Sequence, residues 1–207
     1  MIPVNENPKL ILTGFGKFKG VEHNPTELIL SSLQQDFTIP NILVYYQLLE
    51  VSVLAANKFS LDVLNHTYPE LIVHLGVNTN AEKFYLERSA FNNMTFRIPD
   101  EQGLQPVDCC IDDCMSFDGE MLTDINCDKI KQVLISEGFD VDVSNDPGRY
   151  LCNYLYYTSL LAMQRQKSKR IVVFVHVPPI EVVSLSGQIT FVKKLLEVLA
   201  NCYIGQK

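Results

Sequence analysis

The sequence predicts an α/β fold, a three-layer α/β/α arrangement around a central, twisted, mixed but largely parallel sheet. Three observations lead there. Short β-type runs alternate with stretches that repeat apolar residues at helical spacing, and strands separated by helices imply a mostly parallel sheet covered on both faces. The chain has 207 residues, enough for one domain (residues 1–207) that buries roughly 70% of the surface exposed by its unfolded form. No internal repeat, linker or low-complexity tract divides it.

Residues 9–13 form a short apolar strand, followed by the loop Gly14-Phe15-Gly16-Lys17-Phe18-Lys19-Gly20. A helix opens at Asn24-Pro25-Thr26-Glu27 and runs to about Leu33. Asn24 suits the N-cap, Pro25 the first helical position and Glu27 the return contact of a capping box. A second strand at 42–49 precedes a helix at 51–64, and Pro69 interrupts before a third strand at 71–76. Residues 84–87 are a further short strand. The segment from Asn92 to about Asp124, rich in Pro, Gly and Asp, predicts a long surface excursion with a strand pair. The chain then reads as helix 126–137, strand 139–144, helix 150–164, strand 170–177 and a closing helix at 187–202.

Composition narrows the function classes. The amino-terminal segment lacks a basic region and a long apolar run, so neither a signal peptide nor a membrane anchor is expected there. The longest strongly apolar run, 171–177, is far too short to span a bilayer. Formal net charge is -7 with no basic stripe, which argues against nucleic acid or an anionic membrane as partner. Six cysteines without a secretory signal read as free thiols in a cytoplasmic protein.

The chain is organised around residues 140–160. An alternating run passes through Ser144-Asn145-Asp146-Pro147-Gly148 into an aromatic-rich helical pattern, which puts Cys152 near a strand-to-helix junction. Helix amino-terminal N–H groups and the nearby Arg149 both favour thiolate, the reactive form. The alternative is an inert, packed thiol. In such sheets ligands collect at the carboxyl ends of strands, and four ends carry unusual residues: the 14–20 loop, Gly76-Val77-Asn78, the 145–149 junction and His176-Val177-Pro178-Pro179. His176 is either a core histidine or the base for Cys152, needing a carboxylate to orient it. Glu87 is the best-placed carboxylate, with an ion pair to Arg88 or Lys83 as its competing role. Spacing does not separate these readings.

Two further features have rival readings. Gly14-x-Gly16 opens a strand-loop-helix unit as a phosphate-binding turn would, but the third glycine is displaced to Gly20 and two phenylalanines crowd the loop. Cys109, Cys110 and Cys114 sit among aspartates, yet no Cys-x-x-Cys pair or nearby histidine completes a metal site.

The motifs Thr13-Gly14-Phe15-Gly16-Lys17-Phe18, Asn24-Pro25, Leu86-Glu87-Arg88, Arg97-Ile98-Pro99-Asp100, Gly148-Arg149-Tyr150-Leu151-Cys152-Asn153 and His176-Val177-Pro178-Pro179 resemble those of pyroglutamyl-peptidase I, a family of cytosolic cysteine peptidases. They occur in family order and cover nearly the whole chain. The resemblance implies a three-layer α/β/α domain that removes an amino-terminal pyroglutamyl residue from peptides, without metal or cofactor. It implies Cys152 as nucleophile, His176 as general base and then acid, and Glu87 as orienting carboxylate. Arg97 matches an arginine close to the nucleophile, and the Cys152 N–H would help hold the oxyanion. Phe15 and Phe18 match the aromatic pair that sandwiches the pyroglutamyl ring. Asn24 matches a residue that supports the same loop, and the resemblance implies Val77 as a further substrate-binding position. Pro147 and the Val77-Asn78-Thr79-Asn80 turn depart from the family pattern. Relatives are monomeric or homo-oligomeric, and the sequence does not decide between them. An idle protein that keeps the pocket and binds a ligand is the alternative; turnover of a pyroglutamyl amide discriminates the two.

Overall fold

In the computed structural model, which describes residues 7–63, 67–167 and 170–204, a six-stranded sheet forms the middle layer. Its strands are β1 (Lys9–Phe15), β2 (Leu43–Leu49), β3 (Leu71–Val77), β4 (Phe84–Glu87), β7 (Val141–Ser144) and β8 (Ile171–Val177). Their order is β2-β1-β3-β8-β4-β7. Strands β5 (Ser89–Phe91) and β6 (Glu120–Leu122) pair antiparallel as a separate ribbon. The helices are α1 (Pro25–Asp36), α2 (Val53–Lys58), α3 (Cys127–Ser136), α4 (Leu151–Arg165) and α5 (Leu185–Tyr203); a π-helical turn, Phe59–Val63, continues α2.

Alternation along each strand builds two cores, as period-2 side-chain placement requires. Leu10, Leu12, Val73, Leu75, Val173 and Val175 pack with residues of α1, α3 and α5 on one face. Ile11, Phe15, Ile72, Val172 and Phe174 pack with residues of α2 and α4 on the other. On α5, the buried positions Phe191, Val192, Leu195, Leu196 and Leu199 keep the three- and four-residue spacing of an apolar stripe. Phe191 stacks on Phe84 with ring centroids 3.6 Å apart, closing the helix onto β4.

The sheet is mixed in a way that matters for the site. β2, β1, β3 and β8 are mutually parallel, whereas β4 runs antiparallel to β8 and β7 runs parallel to β4. Only residues 78–83 separate β3 from β4. A parallel return needs a crossover of a dozen or more residues, so the chain comes back in the opposite direction. The expectation that the 145–149 junction leaves the sheet at the same edge as the other loops is therefore corrected. β7 ends level with Glu87 and, through it, with Phe174 in mid-β8.

Element boundaries differ from the sequence reading where caps decide them. Ser52 accepts from the Ala55 N–H and starts α2 at Val53, not Val51; the regular helix ends at Lys58, and the expected end at Leu64 lies outside the described residues. Ser184 accepts from the Gly187 N–H and starts α5 at Leu185. The amino-terminal segment, residues 1–6, also lies outside the described residues. The excursion has one strand of a pair, β6, whose partner β5 precedes it. It is pinned by the fully buried Asn92, whose side chain donates to the carbonyls of Asp112, Met115 and Ser116 and accepts from the N–H groups of Ile111 and Asp112. Among the described residues no helix is long and apolar enough to cross a membrane.

Candidate active site

Cys152 is the second residue of α4, whose N-cap, Tyr150, makes no side-chain capping bond. The first-turn N–H groups beside the sulfur therefore have no side-chain acceptor at the cap. Gly148, with φ +80, makes the turn into the helix in a conformation that favours glycine. Asp146 accepts from the Gly148 N–H at 3.0 Å. Asn153 anchors the next position to β5, accepting from the Phe91 N–H at 2.8 Å and donating to the Phe91 and Asn93 carbonyls. Arg149 ion-pairs with Asp146 at 2.6 Å and Asp118 at 3.1 Å, and its guanidinium lies 4.1 Å from the Phe91 ring centre. These contacts make Arg149 a brace of the junction.

The thiol lies over Gly76 of β3. A Cβ on Gly76 would sit 2.8 Å from Cys152 Sγ and 2.7 Å from Phe174 Cζ, so only glycine leaves room for both. Gly76 pairs with His176 in the parallel ladder of β3 and β8. His176 is buried, and its Nδ1 lies 2.7 Å from Glu87 Oε1; Glu87 is 1% exposed. That contact leaves Nε2 to face Cys152, with which His176 also shares a hydrogen bond. Burial alone would push the imidazole below its usual 6.5. The Cys152 sulfur, by charge and hydrogen bond, and then Glu87 outweigh burial and lift the value to about 10.

The competing roles for Glu87 are taken up elsewhere. Arg88 pairs with Asp128 at 2.8 Å and Lys83 with Asp140 at 3.3 Å. Asp100 accepts from the N–H groups of Val53, Gln102 and Leu104, which makes it a loop brace.

On the other side of the sulfur is a pocket of about 50 Å³ lined by Phe15, Phe18, Asn24, Val51, Val77, Tyr150, Leu151 and Cys152. α1 shapes it from behind. Thr26 Oγ1 accepts from the Phe15 N–H and donates to the Phe15 carbonyl, while Asn24 donates to the Gly16 carbonyl at 2.9 Å. Gly14 permits this approach, because a Cβ there would meet the Thr26 carbonyl at 2.9 Å. The Gly16 N–H is bonded to the Leu49 carbonyl at 2.9 Å, which removes one donor that a phosphate turn would use. Thus Phe15, Phe18, Asn24 and Val77 line one pocket with Cys152. Val51, Tyr150 and Leu151 do too, although the sequence reading gave them no role; Tyr150 stood inside a quoted motif, whereas nothing local marks Val51.

Arg97 is exposed and forms no hydrogen bond or ion pair with a described residue, Cys152 and His176 included. Its loop is held near the site from both sides. Phe96 packs edge-on against Tyr150 at 4.8 Å, and Tyr150 Oη donates to the Pro99 carbonyl at 3.1 Å. All six cysteines are unpaired, and among the described residues no three His, Cys, Asp or Glu side chains gather as a metal site.

A thiol at a helix start, linked through an imidazole to a buried carboxylate and opening onto a ring-sized apolar pocket, is the architecture of an α/β cysteine peptidase. Residues 8–191 match the family model described as pyroglutamyl peptidase. The chain is 32% identical over 170 residues to the pyrrolidone-carboxylate peptidase of Thermococcus litoralis, covering 82% of this chain and 76% of that protein. It is 29% identical over 187 residues to human pyroglutamyl-peptidase 1, covering 84% of this chain and 82% of that one. The solved structure of the Thermococcus litoralis pyrrolidone carboxyl peptidase superposes with a TM-score of 0.87 at 27% identity, covering 97% of this chain and 96% of that one. The chain belongs to the pyroglutamyl peptidase family.

Proposed function

We propose that this chain hydrolyses the bond after an amino-terminal pyroglutamyl residue, with Cys152 as nucleophile, His176 as proton carrier and Glu87 as the carboxylate that orients it. The observation that carries the reading is the hydrogen-bonded series Glu87, His176, Cys152 ending at the mouth of the pocket. A pocket of about 50 Å³ is a few times the ~10–15 Å³ one water needs, which suits a five-membered lactam. Its apolar faces match an uncharged ring. The Cys152 thiolate attacks the carbonyl that follows the ring. The Cys152 N–H, at the uncapped helix start, helps hold the oxyanion. The His176 imidazolium gives its proton to the departing amine, leaving a thioester. Neutral His176 then takes a proton from water as it attacks the thioester, and free pyroglutamate leaves. Arg97, a cation without an ion-pair partner among the described residues, is available to the peptide chain beyond the ring. Asn24 and Val77 shape the pocket. Six free thiols suit the cytoplasm.

The test is steady-state hydrolysis of a pyroglutamyl-coupled fluorogenic amide by the wild-type chain and by Cys152→Ser. Turnover is expected for the first and nearly none for the second, because a hydroxyl is a far weaker nucleophile than a thiolate at neutral pH. Equal cleavage of prolyl and pyroglutamyl amides would refute the lactam-selective pocket.

A further inference from the structure

Below the reacting groups lies a second buried histidine that the chemistry does not use. His74 is fully buried in β3, with Nδ1 2.8 Å from Thr13 Oγ1 and Nε2 3.0 Å from Ser159 Oγ. Thr13 and Ser159 are themselves fully buried. A neutral imidazole has one donor and one acceptor nitrogen, and a hydroxyl can be either, so the two partners satisfy both nitrogens in either tautomer. Burial keeps the ring neutral by lowering its pKa to about 3.

The three hydrogen-bonded residues stand on the three elements that assemble the site. Two residues beyond Thr13, β1 reaches Phe15 of the pocket; two residues beyond His74, β3 reaches Gly76 under the thiol. Ser159 lies seven residues, about two turns, along α4 from Cys152. Apolar contacts with Phe59 and Phe174 also hold this layer, but packing alone leaves a helix freer to slide and rotate than a directional bond does.

We propose that His74 is a positioning residue, which sets the distance between the ring pocket on β1 and the Cys152 thiol on α4 by bonding both elements at once. The inference rests on the pyroglutamyl peptidase reading and adds to it a determinant outside the reacting groups.

Thr13→Val cuts the link to β1, and Ser159→Ala cuts the link to α4. Each leaves the groups around Cys152 in place. The readout is inactivation of Cys152 by two reagents, a pyroglutamyl chloromethyl ketone that must occupy the pocket and iodoacetamide, which need not. In each folded variant the ketone-to-iodoacetamide rate ratio should fall roughly 10-fold, since misplacement by a fraction of an ångström is costly for aligned groups. The iodoacetamide rate should stay within about twofold of wild type. The double variant should be no worse than either single one, because one tether severed at either end is severed. A wild-type ratio kept in both folded variants overturns the proposal, as does equal slowing by both reagents, which would mean that the network acts on the thiol itself. A wild-type chain with no preference for the pyroglutamyl reagent would refute the peptidase reading instead, and this inference with it.

Discussion

Gly76→Ala tests how tightly the nucleophile is seated. The added methyl would stand 2.8 Å from Cys152 Sγ and 2.7 Å from Phe174 Cζ, where ordinary contacts begin at 3.4 Å. Phe174 is fully buried, between His74 and His176, and has little room to move. The thiol must then retreat by at least 0.6 Å, the difference between 2.8 and 3.4 Å. At about 100-fold per ångström of misplacement, that retreat lowers kcat/KM roughly 15-fold, or about 1.6 kcal/mol of transition-state stabilisation. Overpacking separately costs about 1–3 kcal/mol of fold stability. The assay is kcat/KM for a pyroglutamyl amide, measured well below the thermal midpoint so that the two effects stay apart. A folded Gly76→Ala protein within twofold of wild type would show that the thiol does not depend on this contact.

Glu87→Gln should retain measurable turnover, more than Cys152→Ser, and should move the alkaline fall of kcat/KM below the value near 10 set by wild-type His176, because the carboxylate helps hold the imidazolium; an unchanged profile counts against the orienting role. Glu87→Asp, one methylene shorter, should resemble Glu87→Gln in the same pH profile, and wild-type behaviour would mean that reach is unimportant. Phe18→Ala should lower kcat/KM for pyroglutamyl substrates by the roughly 0.5–1.5 kcal/mol of a lost aromatic contact, with the wild-type thermal midpoint nearly kept because Phe18 is only half-buried. Phe15→Ala would confound that measurement, as Phe15 is a core residue. Ring 15N NMR should find His74 neutral down to pH 5, and titration near 6.5 would contradict its burial; its folded value of about 3 lies below the unfolded 6.5, so its contribution to stability is intact above 6.5 and is lost at about 1.4 kcal/mol per pH unit on descending towards 3.

What could be read from the sequence was what is local. Asn24, Pro25 and Thr26 announce a helix start in adjacent letters, and Asn24 accepts from the Thr26 N–H at 3.1 Å. The helix-start position of Cys152 was legible from the breaker before it, and alternating strands and helices gave the layers. Features that depend on distant partners were not legible. Gly76 looked like one more turn glycine until Cys152, 76 residues later, was seen above it. His74 drew no reading of its own within the 71–76 strand, because its partners lie 61 and 85 residues away. For Arg149, the proximity in sequence to Cys152 was visible, but the ion pair with Asp118, 31 residues earlier, was not.

Glu87 owes its place to strand direction, which no local pattern in the sequence marks. Had β4 run parallel to β8, the end of β4 would lie level with the end of β8. The reversal sets Glu87 opposite Phe174, two residues short of His176 and on the same face. That relation is a diagonal cross-strand pair, with backbones ~7–8 Å apart, beyond the reach of short side chains and within that of long ones. A glutamate and a histidine together span it, closing to 2.7 Å. On the opposite side of β8, the parallel partner β3 supplies a residue with no side chain at all, Gly76, level with His176. One strand thus receives a long carboxylate from an antiparallel neighbour and an open space from a parallel one, and α4 lowers its thiol into that space. The mixed direction of the sheet, which only the brevity of the 78–83 connection hinted at, is what brings the two ends of the Glu87, His176, Cys152 series to the same imidazole.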